Sequence, residues 1–242
     1  MSKTENLERT EKLGNEIGNK IINLEELPSA GMFYEPGTEI SIRACRVEEI
    51  RHFSTIDETD IIDVDDKLNY IIERCCRIRV PGNRVQSYKD ILEIDRFYLV
   101  FAIRELTFSE GENQIQVNLP CDECNNIDTV NIERHHLNNI NLDERLQKYF
   151  NPEERCFTFE TKTGEVFNLY FATLGVTEFM KKFIRSRASK GQKLDQSYLT
   201  IAPFLFPDWR TLTDKTFSEA NYETLRWGIE KLSIMTGMVD VI

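Results

Sequence analysis

The chain has 242 residues, 40% hydrophobic and 29% charged, enough for one large domain or two small ones with a real core. Its net charge of −11 argues against a protein that tracks nucleic-acid phosphates over a broad basic face. Apolar runs such as Tyr98–Ile103 are too short to span a bilayer, and the opening residues are too polar for a secretory signal. Six cysteines without a secreted scaffold's spacing point to reduced thiols in a cytosolic compartment, with neither membrane nor nucleic acid as partner.

In chain order, residues 1–26 read as an N-terminal arm. Leu13, Ile17, Ile21 and Leu24 recur at helical spacing, but Gly14 and Gly18 weaken an autonomous helix, so the arm is expected to order by docking on a partner. The stretch "LPSAG" (Leu27–Gly31) reads as a turn, with Pro28 fixing φ and Gly31 able to take a positive φ. A hairpin is expected next: Met32–Tyr34, a turn over Glu35–Thr38, and a strand with Ile40 and Ile42 inward against Ser41 and Arg43 outward. Helices should follow over Val47–Phe53 and Lys67–Ile78, the second with Leu68, Ile71, Ile72 and Cys75 on one face.

Ser87, with Asp90 at the capping-box position, predicts the main helix, running to Leu106. Ile91, Ile94, Tyr98, Phe101 and Leu106 mark its buried stripe. Leu92, Phe97, Leu99, Val100 and Ile103 make it apolar nearly all round, as a central core helix would be. A hairpin over Gln114–Ile132 carries Cys121 and Cys124 at its tip. A polar connector over 135–154 holds an amphipathic piece at Leu142–Phe150, and a second hairpin over Cys156–Phe171 turns at Thr163–Gly164. Helices are then expected over Val176–Arg187, Tyr198–Phe206 and Tyr222–Thr236, and the cationic stretch Met180–Lys193 reads as a solvated helix end and loop. The predicted fold class is α+β. A central buried helix with short antiparallel hairpins is followed by a mostly helical C-terminal part, in lobes at 27–140 and 141–242.

Motifs for chemistry are sparse. Counting a calcium loop from Asp63 puts Asp65 at the third position but Lys67 at the fifth and Leu68 where glycine is needed, so these acids read as favouring the start of the following helix. The chain carries no phosphate-cradling glycine loop and no nucleophile elbow, and His52, His135 and His136 fit no nucleophile or metalloprotease arrangement. A non-enzyme is expected. Cys121 and Cys124 are the only metal candidates, and one C-x-x-C is half a zinc ribbon. The missing ligands could come from His135, His136 or Cys156. Three readings stay open, an unmetallated turn, a zinc knuckle and a redox pair, with the unmetallated turn preferred and no cofactor required.

The stretch "LPSAGMFYEPGTEISIRACRVEEI" (Leu27–Ile50) resembles the opening of the T4-like phage baseplate hub and hub assembly family. The shared features are a Leu-Pro-Ser-x-Gly turn (Leu27, Pro28, Ser29, Gly31), an aromatic at Phe33 or Tyr34, a strand ending in Arg43, and a helix opening on Glu48–Glu49. With the C-x-x-C hairpin after the long helix, the resemblance covers roughly residues 27–135. It implies a non-enzymatic virion structural or tail assembly protein of a contractile phage tail, acting by protein–protein contacts within the baseplate hub or as a hub assembly factor. Other hub or tail proteins, the tape measure among them, would be its partners, and it would work in the host cytoplasm during assembly and in the virion baseplate where retained. The apolar stretch Met238, Val239, Val241 and Ile242 is expected to meet such a partner. The alternative is a zinc-ribbon-like adaptor on a host or phage transcription or assembly complex.

Overall fold

Ile40 and Ile42 lie two residues apart, so a strand sends both to one face. The computed structural model describes residues 19–57, 59–82, 86–108, 115–121, 124, 126–132, 136, 147–160, 164, 166–192 and 202–219. In it, β2 (Glu39–Ile42) is the middle strand of a sheet, antiparallel to β1 (Lys20–Ile22) and to β3 (Cys76–Arg79). Ile22, Ile40, Ile42, Cys76 and Ile78 are buried. The predicted hairpin partner, Met32–Tyr34, forms turns instead. Ala30 and Gly31 take φ of 50° and 72°, left-handed values that redirect the chain before a strand can begin. In the arm, Ile21 falls on β1 and Leu24 opens a 3₁₀ turn, Leu24–Glu26, in place of the helical stripe. Leu13 and Ile17 lie outside the described residues.

Two units are interleaved along the chain. One comprises Met1–Ala30, Thr38–Val80 and Asp95–Asn139, the other Gly31–Gly37, Pro81–Ile94 and Ile140–Ile242. The sequence reading divides the chain consecutively near residue 140. The structure adds two short early segments to the later unit.

In the first unit, α1 (Val47–Phe53) packs on α2 (Ile61–Cys75), and α2 and β2 pack on α3 (Arg96–Thr107). Leu68, Ile71, Ile72 and Cys75 are buried together, as the 3.6-residue period requires. Asp60 caps α2 by accepting from the Ile62 N–H at 2.9 Å, Asp63 accepts from the Asp57 N–H at 2.8 Å, and Asp65 pairs with Arg96 at 2.7 Å. These acids therefore build a helix start and a core ion pair. The helix ends at Cys75 and not at Ile78, because the buried–exposed alternation of Cys76–Arg79 suits the strand that pairs with β2. Strands β4 (Ile115–Pro120) and β5 (Ile127–Ile132) form the Cys-tipped hairpin, in register from Ile115↔Ile132 to Pro120↔Ile127.

The long helix predicted from Ser87 is broken. Ser87 and Asp90 do form a capping box, but on the single 3₁₀ turn Tyr88–Asp90. Beyond it, the Leu174 N–H donates to the Ile91 carbonyl at 2.8 Å, the Glu93 N–H to the Ala172 carbonyl at 2.9 Å, and the Leu92 N–H to the Tyr34 hydroxyl at 3.1 Å. Peptide groups engaged in this strand-like pairing cannot join a helical ladder, so the α-helix starts only at Arg96. Its buried residues include Tyr98, Leu99, Ala102 and Ile103, Phe101 is half-buried, and Phe97 and Leu106 are exposed.

The second unit holds a three-stranded antiparallel sheet, β6 (Phe150–Asn151), β7 (Cys156–Glu160) and β8 (Val166–Leu169). Phe33 sits among Phe150, Phe157 and Phe171, with ring centroids 5.3, 5.8 and 4.1 Å away. Helices α4 (Leu174–Ala188) and α5 (Asp214–Glu219) follow. Phe217 is fully buried, packed with Phe179, Phe183 and Phe206. The predicted helix at Tyr198–Phe206 is a 3₁₀ turn, Ala202–Leu205, among described residues. Residues 142–146, 198–201, 222–236 and 238–242, with the readings made of them, lie outside the described set. No helix among the described residues is long and apolar enough to cross a membrane.

Candidate functional site

Helix α1 is inverted. An amphipathic helix buries its apolar side, yet the buried residue of α1 is Glu49, while Val47, Ile50 and Phe53, spaced three apart on one face, are exposed, Val47 at 72%. The carboxylate is held by what surrounds it. Arg43 donates to it through Nη2 at 2.8 Å, the Arg46 N–H donates to its other oxygen, and Arg74 Nε lies 3.7 Å away. The hydrogen bond from Arg43 leads in holding the Glu49 carboxyl below the usual carboxylate range, against the opposing effect of burial. Arg43 also donates to the Ala44 and Arg74 carbonyls, both at 2.8 Å, so one guanidinium ties the end of β2, the start of α1 and the end of α2. That lock turns the apolar stripe outward.

The Leu27–Gly31 turn is anchored in the same unit. Ser29, itself buried, donates its backbone N–H and its hydroxyl to the carboxylate of buried Asp95, at 2.9 and 2.8 Å. Asp95 immediately precedes α3, and the hydroxyl of Tyr98 on that helix donates to Glu26 at 2.8 Å. The serine of the Leu-Pro-Ser-x-Gly turn therefore registers the turn against the central helix.

Cys121 and Cys124 are both exposed at the tip of the β4–β5 hairpin, where the Cys121 N–H donates to the Asn126 carbonyl at 2.8 Å. Of the residues considered as further ligands, His136 is exposed, His135 lies outside the described residues, and Cys156 is buried on β7, where burial pushes its thiol up. Among the described residues no group of three or more His, Cys, Asp or Glu side chains is placed to hold a metal ion. Both faces of β5 beside the tip are solvated, with Ile127 71% exposed on one and Val130 exposed on the other.

A second thiol pair emerges from the fold. Cys45, in the extended segment between β2 and α1, places its Sγ 3.7 Å from that of Cys75 at the end of α2. Thirty residues separate them, in a pattern that no short motif marks. The adjacent Cys75–Cys76 pair was visible in the sequence, but its two members divide between a helix end and a strand start. The inverted face of α1 carried one signal, an apolar residue every third position with a Glu inside the stripe's helix. No protein-family model, curated protein or solved structure matches this chain.

Proposed function

We propose that this chain is a non-enzymatic structural or assembly protein of a contractile phage tail, a component of the baseplate hub or a factor that assembles it. The observation that carries a protein–protein role is the outward apolar stripe of α1, fixed by a buried carboxylate. Of the nine exposed large apolar residues among those described, Ile21, Val47, Ile50, Phe53, Phe97, Leu106, Ile127 and Val130 belong to the first unit and only Val166 to the second. Three of them group on α1 at three-residue spacing, and a grouped exposed apolar stripe is the feature that marks a surface that meets other proteins. The phage-tail assignment rests on the resemblance carried by Leu27–Ile50. Its partners are then hub and tail proteins, the tape measure among them, met in the host cytoplasm and retained in the baseplate if the chain stays in the virion.

Affinity purification of the full chain from cells making a complete set of tail proteins tests this reading. Recovery of hub or tape-measure proteins, lost when Val47, Ile50 and Phe53 are all changed to serine, is the expected result. A chain that recovers no tail protein overturns it. A band in purified baseplates distinguishes a retained component from an assembly factor. The exposed thiols at the hairpin tip favour a second reading, a zinc-ribbon-like adaptor on a transcription or assembly complex. One zinc per purified chain, lost in Cys121→Ser, would favour it.

A further inference from the structure

The geometry points to Cys45 and Cys75 as an oxidative modification site, a dithiol that a peroxide converts into an intramolecular disulfide. Their sulfurs are 3.7 Å apart, and a disulfide needs about 2.05 Å, a closure that small side-chain rotations can supply. The two backbones are already held side by side. The Arg43 N–H donates to the Cys75 carbonyl at 3.0 Å, and the Cys45 N–H donates to the Thr107 hydroxyl at 2.9 Å. The pair is also asymmetric, as a reactive dithiol should be. Cys45 is half-exposed and Cys75 buried, so an oxidant in solution meets Cys45 first and Cys75 is placed to resolve it.

The thiol chemistry supports that order. The hydrogen bond with Cys75 leads in bringing the Cys45 thiol down to about 7, with Thr107 and Arg43 adding and burial opposing. A substantial thiolate fraction near neutral pH follows. The Cys75 thiol is pushed up by the same hydrogen bond and by burial, so it stays protonated while Cys45 carries the charge. Cys76 is also buried and pushed up by that burial. Its direct bond to the neighbouring Cys75 would close a strained vicinal ring.

In the first step the Cys45 thiolate attacks hydrogen peroxide. An S–O bond forms, the O–O bond breaks, and hydroxide leaves to take a proton as water, giving the sulfenic acid. The Cys75 sulfur then attacks the Cys45 sulfur, forming S–S as S–O breaks, and the departing hydroxide takes the Cys75 proton as a second water. Two thiols are oxidised and one peroxide is reduced. A small dithiol such as dithiothreitol reverses the change by exchange.

The test treats the folded full chain with limiting hydrogen peroxide, alkylates the remaining thiols, and maps the tryptic peptides by tandem mass spectrometry, whose fragments separate linkage at Cys75 from the isobaric linkage at Cys76. Cleavage after Arg43, Arg46, Arg74 and Arg77 leaves the tripeptides Ala44–Arg46 and Cys75–Arg77. The expected product joins these two, with Cys76 alkylated and a mass about 2 Da below that of the two thiol peptides, and it disappears with dithiothreitol. Linkage of Cys121 to Cys124 is read separately on its own peptide and leaves the result unaffected. Peroxide-treated chain in concentrated urea should yield far less of the 45–75 product. Full alkylation of Cys45 and Cys75 after treatment would overturn the proposal, as would Cys45 recovered as sulfinic acid without linkage, or a dominant 45–76 bond. Because wild-type protein is mapped, no variant need fold for any outcome to decide.

Discussion

The two units solve the problem of a small core in opposite ways. Of the seven buried polar or charged residues among those described, Ser29, Thr38, Glu49, Asn69, Asp95 and Arg96 lie in the first unit and only Thr177 in the second. The second unit instead closes phenylalanines on one another, around Phe33 and around Phe217. Its principal ion pair, Arg210 with Asp90 at 2.7 Å, stays partly exposed. A core of aromatic contacts is specified by volume and tolerates many arrangements. A core threaded with buried charges permits few, because each charge demands its partner. Among the described residues the first unit also displays eight of the nine exposed large apolar side chains, so its tightly specified interior goes with the more apolar surface.

This contrast breaks most sharply at Phe217. Phe217→Ala should destabilise the second unit by about 3–5 kcal/mol, the sum of lost burial and an unfilled cavity. Hydrogen exchange should show protection lost across α4 and α5 and retained in α2 and α3. Equal loss in both units would mean that they do not unfold separately.

The counterpart in the first unit is Arg43. Arg43→Ala removes the main donor to a fully buried carboxylate and should cost about 3 kcal/mol, measured by urea unfolding. The pH dependence sharpens it. Glu49 is held below the usual range when folded, chiefly by Arg43, so its contribution is fully present above the unfolded value of about 4.3 and is lost as pH falls through the lower folded value. Without Arg43, burial opposes ionisation with less to counter it, and acid unfolding of the first unit should begin at higher pH. An unchanged acid limb in Arg43→Ala would show that Glu49 is held by other groups.

Legibility in the sequence divides along a different line, between local pattern and distant partner. The face of Leu68, Ile71, Ile72 and Cys75 could be read because burial by volume leaves a periodic trace. So could the hairpins Gln114–Ile132 and Cys156–Phe171, whose strands alternate and pair locally. The extent of the main helix could not. Ser87 and Asp90 gave a true capping signal, but Ile91–Glu93 pair with Ala172–Leu174, some eighty residues on, and local propensity carries no record of that partner. Gly175 is a similar case. A Cβ there would lie 2.3 Å from Cγ of Trp209, a reason for glycine that only the folded chain reveals. Of the candidate sites, Cys121 and Cys124 announced themselves by spacing, whereas Cys45 and Cys75 meet only because β3, continuing from the end of α2, pairs with β2 and the Arg43 guanidinium ties the two ends.

Ser29→Ala sits lower on the scale but above an ordinary surface change. From sequence alone, the substitution would be worth about 1 kcal/mol, the loss of one turn hydrogen bond. The hydroxyl in fact donates to a buried carboxylate, and bonds to charged groups contribute about 1.5–3 kcal/mol. Ser29→Thr, which keeps the hydroxyl, should recover part of the loss if the hydrogen bond and not the small volume is what matters. A Ser29→Ala variant melting with wild type would place the anchor of the turn in the backbone N–H alone.

The smallest effect on stability should come from the face proposed to meet partners. Val47 is largely exposed on α1, while Ile50 and Phe53 are 38% and 36% exposed, so changing all three to serine removes some packing and should cost about 1–2 kcal/mol, less than Arg43→Ala. Helix α1 would persist, because Glu49 and Arg43, not the apolar stripe, fix it to the unit. Recovery of partner proteins should nevertheless fall steeply, since apolar residues at the centre of an interface carry most of its energy. Arg43→Ala and the stripe variant thus make opposite predictions, one losing mainly stability and the other mainly association. If the stripe variant loses stability comparably to Arg43→Ala, Val47, Ile50 and Phe53 belong to the core of the first unit, and the partner surface must be sought elsewhere on it, as around exposed Ile127 on β5.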